Sequence, residues 1–112
     1  MKIDAVVLER TGGTLQLQEL DLAPPGVEEV LVRLGASGVC HSDFNAIDGT
    51  AETPCPAVLG HEGAGVVEQV GPEVTLLAPG DHVVTLFSPQ CGECVHCRSS
   101  ARRPGRPWPR AG

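Results

Sequence analysis

Aromatic residues are scarce in this sequence, which contains no tyrosine, one tryptophan and two phenylalanines among 112 residues. Glycine and proline are abundant instead, at 14 and 10 residues, and this balance predicts many turns and short strands with little helix. A chain of this length can bury one modest core, which excludes a catalytic domain joined to a complete dinucleotide-binding domain. The composition therefore predicts one mostly β domain.

Long apolar runs are absent as well. No stretch approaches the roughly 20 apolar residues that cross a bilayer, and the N-terminus lacks the basic region and apolar run of a secretory signal. We therefore expect a cytoplasmic protein with no membrane partner. In a reducing compartment, closely spaced cysteines are more often metal ligands or reactive thiols than disulfides.

Basic residues are nearly missing from the first 97 positions, where three of them face 14 acidic residues for a charge of −11. Residues 98–112 reverse this balance with five arginines and no acid. A single tryptophan among these arginines is not the aromatic interleaving typical of nucleic-acid binding, and no recognisable fold supports such binding. Arg/Pro/Gly-rich ends are usually disordered. We predict a domain over residues 1–97, a basic tail over 98–112 and no nucleic-acid partner.

Apolar patterning and turn signals predict several short strands. A hairpin is expected around Thr11-Gly12-Gly13, and residues 50–57 are expected to form a loop. A short helical turn is expected over residues 42–47, capped by Ser42 or Asp43. The strands are predicted over residues 3–8, 15–18, 30–34, 63–71 and 82–87. Short strands between glycine and proline turns favour a small, partly open β-barrel.

Three of the five cysteines lie in one heptapeptide, at Cys91, Cys94 and Cys97. Two residues between thiolates allow a turn to aim both sulfurs at one centre, and Zn²⁺ accepts four such ligands in a tetrahedron. An iron–sulfur centre is the rival interpretation, but it needs a fourth cysteine and none follows. Three ordinary buried cysteines are the remaining alternative. The loop is a candidate zinc site with three of four ligands.

A second candidate site combines Cys40 with His61 from two separate segments. A thiolate and an imidazole are suitable zinc ligands, and a nearby aspartate such as Asp43 can accept the other N–H of the imidazole and fix its tautomer. A lone cysteine and a lone histidine at this separation are weak evidence. The motifs around them raise the case for a metal site.

Four motifs follow one another in the chain. Gly-Val-Cys-His-Ser-Asp at 38–43 precedes Gly-His-Glu-Gly-Ala-Gly-Val-Val-Glu-Gln-Val-Gly at 60–71, Pro-Gly-Asp-His-Val at 79–83 and the cysteine loop at 91–97. In this order and spacing, residues 1–97 resemble the N-terminal part of zinc-dependent medium-chain alcohol dehydrogenases. The resemblance implies an incomplete GroES-like β-barrel without the Rossmann domain. It also implies a parent family of homo-oligomeric oxidoreductases.

The resemblance implies two zinc sites. Cys40 and His61 are similar to two protein ligands of the catalytic zinc, and Glu62 to a carboxylate that stays nearby or transiently approaches the metal. The loop that contains Cys91, Cys94 and Cys97 is similar to the structural zinc site of the family. Both sites are expected to be incomplete, since the third catalytic ligand of the family lies well beyond residue 112.

The resemblance also implies roles in alcohol oxidation, in which zinc acts as a Lewis acid and hydride passes to NAD or NADP to give an aldehyde or ketone. Asp43 is similar to the partner of the ligand histidine, and Ser42 to the hydroxyl that passes the alcohol proton toward solvent. His41 is similar to the residue near the cofactor pyrophosphate. Asn45 departs from members that continue the proton relay through a histidine, so a relay here must end differently.

The basic tail departs from the family most strongly. The fourth structural cysteine falls on Gly105, and the charge changes sign near residue 98. We interpret the tail as sequence read out of frame from a GC-rich gene, which the other two reading frames would test. The chain alone is then expected to be an inactive fragment of an alcohol dehydrogenase. The alternative is a stand-alone zinc-binding module or scaffold; a chaperonin-like ring subunit fits the barrel but not the cysteines.

Overall fold

The computed structural model describes residues 1–88 and 93–98, with the backbone alone at His96 and Cys97. Six strands and two helices follow one another in this part of the chain. They are β1 (Lys2–Leu8), β2 (Leu15–Asp21), β3 (Val30–Ser37), α1 (His41–Asp48), β4 (Ala57–Val58), β5 (Gly63–Val70), β6 (His82–Val84) and α2 (Val95–Arg98). The mostly β prediction is confirmed, and the strands do not close into a barrel within the described residues.

The strands form two three-stranded antiparallel sheets, in the orders β2-β1-β4 and β3-β5-β6. The expected hairpin is present, because β1 and β2 pair from Lys2 with Asp21 to Leu8 with Leu15. Strand β4 begins at Ala57, the last residue of the region that we expected to be a loop. A proline precedes its two residues, and so short a strand has no apolar period that a sequence pattern could reveal.

The core of the described residues is small, and its buried side chains come from β1, α1 and β5. The buried apolar side chains are Ala5, Val7, Leu8, Ala46 and Val67, and Leu8 and Val67 are the largest that are fully buried. No helix among the described residues is long and apolar enough to span a membrane.

Helix α1 begins one residue earlier than predicted, and its N-cap is Cys40. The N-cap residue is therefore neither Ser42 nor Asp43, although Asp43 takes part in the capping box. Asp43 is the third helical residue, and its carboxylate accepts a hydrogen bond from the Cys40 backbone amide at 3.1 Å. The helix ends at Asp48 and is capped by Gly49, whose φ of 87° is the left-handed conformation that glycine adopts without steric cost.

Strand β6 ends at Val84, whereas the apolar run predicted a strand to residue 87. The antiparallel register places Thr85 opposite Gly63, and the Thr85 amide donates to the Gly63 carbonyl at 2.9 Å. The return bond is made by a side chain, because the Gly63 amide donates to Thr85 Oγ1 at 2.9 Å. A side-chain acceptor replaces the backbone carbonyl there, and the regular ladder stops.

Candidate metal centre

The ends of β3 and β5 bring the two ligand-bearing segments together. The β3–β5 ladder closes with Ser37 opposite Gly63, and one step further the Gly38 amide donates to the Glu62 carbonyl at 3.0 Å. Cys40 lies two residues past this bond in the segment that follows β3, and His61 lies next to it in the segment that precedes β5. Sheet pairing therefore determines that these two side chains meet.

Glycine at position 38 allows the two segments to approach closely. A Cβ atom there would lie 2.9 Å from Glu62 Oε2 and 3.3 Å from Glu62 Cβ. Real Cβ atoms are almost never as close as the shorter of these distances. Any larger residue would push the Glu62 side chain away from its present position, so the first glycine of the motif at 38–43 has a packing role.

Cys40, His61 and Glu62 form a cluster of three donor atoms that lie within 4.8 Å of one another. Cys40 and His61 are half-buried, and Glu62 is exposed. Thiolate, imidazole and carboxylate are the donor types that zinc prefers, and bonds of about 2.0 to 2.3 Å in a tetrahedron place ligands about 3.3 to 3.8 Å apart. The cluster fits zinc by donor chemistry and needs a contraction of about 1 Å.

Asp43 connects the two ligand candidates. Its Oδ2 accepts the hydrogen bond from the Cys40 amide, and its Oδ1 lies 4.0 Å from His61 Nδ1. The side chains of His61 and Asp43 are 24% and 16% exposed, so both are sheltered from bulk water. A carboxylate on the Nδ1 side leaves Nε2 as the ring nitrogen that can face a metal.

Ser42 and His41 occupy the first turn of α1. Ser42 is half-buried and follows Cys40 by two residues. His41 is exposed, and its ring lies 5.9 Å from the ring of Phe44. The proton-relay role of Ser42 and the cofactor role of His41 stay predictions.

An open cleft of about 370 Å³ adjoins the cluster and is lined by residues 61–64, at the start of β5, and 84–87, at the end of β6. Phe87 presents its ring edge-on to His61, with ring centroids 4.8 Å apart at an angle of 63°. Phe87 is 73% exposed, so it forms an apolar wall beside the ligand histidine. Sequence reasoning missed Phe87 and Thr85, because neither has a side chain typical of a metal ligand or a catalytic base.

The cysteine loop is only partly described. Cys94 is exposed, and Cys97 lies in α2, where the backbone alone is described. Cys91 and Gly105 lie outside the described residues, as does most of the basic tail. The structural zinc site and the interpretation of the tail stay predictions.

Comparison with protein families identifies the fold that carries this geometry. The family model described as the alcohol dehydrogenase GroES-like domain matches residues 26–106. The chain belongs to this family. The match to the GroES-like domain extends beyond residue 97 into the basic segment, and the predicted division of the chain at that residue is not tested by it.

Individual relatives of this GroES-like domain agree with the assignment. The chain is 50% identical over 97 residues to the NDMA-dependent alcohol dehydrogenase of Amycolatopsis methanolica, and the match covers 87% of the chain. The chain spans about a quarter of that relative, 26% of its length.

Solved structures show the same domain. An alcohol dehydrogenase zinc-binding domain protein from Burkholderia ambifaria superposes with a TM-score of 0.80 at 45% identity, covering 88% of this chain and 26% of the other. The cobalt- and zinc-bound thermostable alcohol dehydrogenase from Pyrobaculum aerophilum superposes with a TM-score of 0.77 at 37% identity, covering 88% of this chain and 30% of the other. The GroES-like fold is therefore confirmed.

Proposed function

We propose that Cys40, His61 and Glu62 bind a zinc ion that serves alcohol dehydrogenase chemistry. The observation that carries this proposal is the convergence of three donor atoms of different types within 4.8 Å. The β3–β5 ladder preorganises this convergence, because it ends at the Gly38–Glu62 bond between the two segments. These three side chains would hold the ion, one donor fewer than the four that zinc usually takes in proteins.

Asp43 has two roles in the proposed site. One carboxylate oxygen holds the Cys40 amide, and the other faces the imidazole of His61. The Nδ1–Oδ1 distance of 4.0 Å is too long for a hydrogen bond. We propose that metal binding closes this gap, which orients the ring, raises the basicity of Nε2 and makes Nδ1–H a donor to the carboxylate. Its charge also partly offsets that of a bound divalent cation.

Zinc bound in this cluster supplies a Lewis acid that polarises an alcohol or carbonyl oxygen. Ser42 is the side chain that we propose moves the proton of the alcohol hydroxyl toward solvent, from its place in the first turn of α1. Phe87 and the cleft beside His61 offer an apolar surface to the carbon skeleton of a small alcohol or aldehyde. His41, exposed at the helix start, is the candidate contact for the phosphates of NAD or NADP.

The complete reaction is part of this proposal, namely oxidation of an alcohol to an aldehyde or ketone with hydride transfer to NAD or NADP. Its support is the family assignment and the names of relatives such as the NDMA-dependent alcohol dehydrogenase. The chain spans about a quarter of that relative, so the metal-binding step is the part of the proposal that the described residues can test.

The test is a titration of the metal-free chain with Co²⁺, which substitutes for zinc and reports thiolate ligation by a charge-transfer absorption band. We expect Cys40→Ser to remove one thiolate-containing site. The matched control is Cys55→Ser, because Cys55 is also half-buried and donates only a weak bond to the Thr53 carbonyl at 3.6 Å. An unchanged cobalt spectrum in Cys40→Ser would show that this cluster is not a metal site.

The alternative function is a stand-alone zinc-binding module. The same titration, followed by native mass spectrometry of the protein and its bound metal, distinguishes this module from the dehydrogenase domain. A Cys94→Ser variant separates the cysteine loop from the Cys40 cluster. If all metal binding is lost in Cys94→Ser, retained in Cys40→Ser and accompanied by a stable dimer, the chain is a zinc-linked scaffold. We expect Cys40→Ser and Cys94→Ser to affect separate metal equivalents.

A further inference from the structure

Thr85 makes three hydrogen bonds to residues 61–63, the segment that carries His61 and Glu62. Its hydroxyl accepts from the Gly63 amide at 2.9 Å and donates to the His61 carbonyl, and its own amide donates to the Gly63 carbonyl at 2.9 Å. The directions follow from the groups, because an amide N–H only donates and a carbonyl only accepts. One hydroxyl thus satisfies the backbone on both sides of Glu62.

These bonds hold the peptide units from which two donor side chains emerge. The His61 carbonyl belongs to the peptide before Glu62, and the Gly63 amide to the peptide after it. The Glu62 carbonyl is held from the opposite side by the Gly38 amide at 3.0 Å. Rotation of this segment about its own axis would break bonds on both sides.

The segment that follows β6 also contacts the side chain of His61. Because the Thr85 hydroxyl replaces a backbone carbonyl as acceptor, the ladder stops and the chain continues toward Phe87, whose ring edge contacts the His61 ring. Residues 85–87 therefore restrain both the backbone and the ring of the histidine. A serine hydroxyl can make the same two bonds as threonine, whereas valine has the shape of threonine without the hydroxyl.

Accepting the proposed function, we propose that Thr85 is a positioning residue for the metal centre, which acts by holding His61 and Glu62 in ligating geometry. It does not touch the metal. Outer hydrogen-bond partners of metal ligands typically change metal affinity by about 10- to 100-fold when they are removed. The expectation for Thr85 is therefore an effect on metal affinity that follows the hydroxyl and not the methyl group.

The experiment compares Co²⁺ affinity in Thr85→Val, Thr85→Ser and the unmodified 112-residue chain, by competition with a chelator. We expect Thr85→Val to weaken binding by about 10-fold or more, and Thr85→Ser to stay within about threefold of the unmodified chain. The control is Thr53→Val, because the Thr53 hydroxyl donates to the Ala51 carbonyl at 3.2 Å in a loop outside the cluster. Thr53→Val should bind Co²⁺ normally.

A second measurement follows the metal-free proteins by NMR. Thr85→Val should speed hydrogen exchange at the Gly63 amide and shift the ring resonances of His61, while the amides of β1 and β2 keep their protection. Equal Co²⁺ affinity in Thr85→Val and the unmodified chain overturns the proposal, as does an equal loss in Thr85→Ser. Unfolding of both Thr85→Val and Thr85→Ala also overturns it, because Thr85 would then serve the fold.

Failure of the proposed function gives a different result. If the unmodified chain and the Cys55→Ser control bind no metal through Cys40, both proposals fall together. If they bind through Cys40 and Thr85→Val binds equally well, only the role of Thr85 falls.

Discussion

The amide of Gly38 donates a hydrogen bond to the carbonyl of Glu62 at 3.0 Å, and this bond joins the two segments that carry the ligand candidates. It continues the β3–β5 ladder one step beyond its last strand pair. The distance between Cys40 and His61 is therefore set by sheet register and not by either loop alone. Changes that disturb this bond should affect metal binding before they affect the rest of the fold.

We expect Gly38→Ala to weaken metal binding while it destabilises the fold by less than about 1 kcal/mol, because the clashing atom is the end of a flexible, exposed side chain. The added methyl group would lie 2.9 Å from Glu62 Oε2, so the carboxylate must move. Chelator competition with Co²⁺ measures the first effect and denaturant unfolding the second.

The matched control is Gly35→Ala on the same strand. A Cβ atom at Gly35 has its nearest contact at 3.8 Å, to the Ala64 carbonyl oxygen, which is ordinary van der Waals distance. Gly35→Ala should leave metal affinity unchanged. If both variants bind Co²⁺ equally, the close approach at Gly38 has no part in the site.

Replacing Asp43 by asparagine separates its two contacts. The carbonyl oxygen of the introduced side-chain amide can still accept from the Cys40 amide, so α1 should stay intact in far-ultraviolet circular dichroism. The introduced amide carries no charge, and its interaction with His61 is weaker, so we expect Asp43→Asn to reduce Co²⁺ affinity by about 10- to 100-fold. Asp43→Ala should add a loss of helix stability by removing the bond to Cys40. Normal metal affinity in Asp43→Asn would contradict a role for its charge.

Much of the fold could be predicted from local pattern. The β1–β2 hairpin follows from alternating residues on either side of a glycine turn, and β3 and β5 follow from branched apolar runs. Strand β4 could not be predicted, because it exists only through pairing of Ala57 and Val58 with β1. Tertiary pairing likewise determines where β6 ends, since a threonine hydroxyl takes the place of a backbone acceptor.

The candidate site could be predicted in its residue types but not in its geometry. Donor chemistry and neighbouring motifs pointed to Cys40, His61 and Asp43. The family resemblance also pointed to Glu62. The Gly38–Glu62 bond that holds its backbone beside β3, and the hydrogen bonds by which Thr85 holds the segment, depend on strand register. Neither relationship has a signature in the spacing of residues along the chain.

The small apolar core allows a test of how much its packing contributes to the stability of the fold. Leu8 is fully buried between β2 and β4, where it pairs with Leu15 and Ala57. We expect Leu8→Ala to cost about 2 to 5 kcal/mol, the range for truncating a buried leucine. Val58→Ala is the control, because Val58 is 57% exposed on the adjacent strand and should cost less than about 1 kcal/mol. Denaturant unfolding of the two variants gives the comparison.

The end of helix α1 should respond to acid through Asp48. The Thr50 amide donates to Asp48 Oδ1 at 2.8 Å, and hydrogen bonding from Thr50 lowers the pKa of the Asp48 carboxyl, with a smaller contribution from the charge of His41. Because the folded-state pKa lies below the unfolded value of about 3.9, the carboxylate stabilises this turn fully above that pH, and the contribution is lost as pH falls through the folded pKa.

An NMR titration of the Asp48 side chain should therefore show a midpoint below that of an ordinary aspartate, with the Thr50 amide shifting over the same pH range. In Asp48→Asn the amide oxygen can still accept from Thr50, so the bond persists while its acid sensitivity disappears. A midpoint at or above the ordinary aspartate value would show that the hydrogen bond from Thr50 does not favour the charged form. Retained acid sensitivity of the Thr50 amide in Asp48→Asn would assign the effect to another carboxyl group.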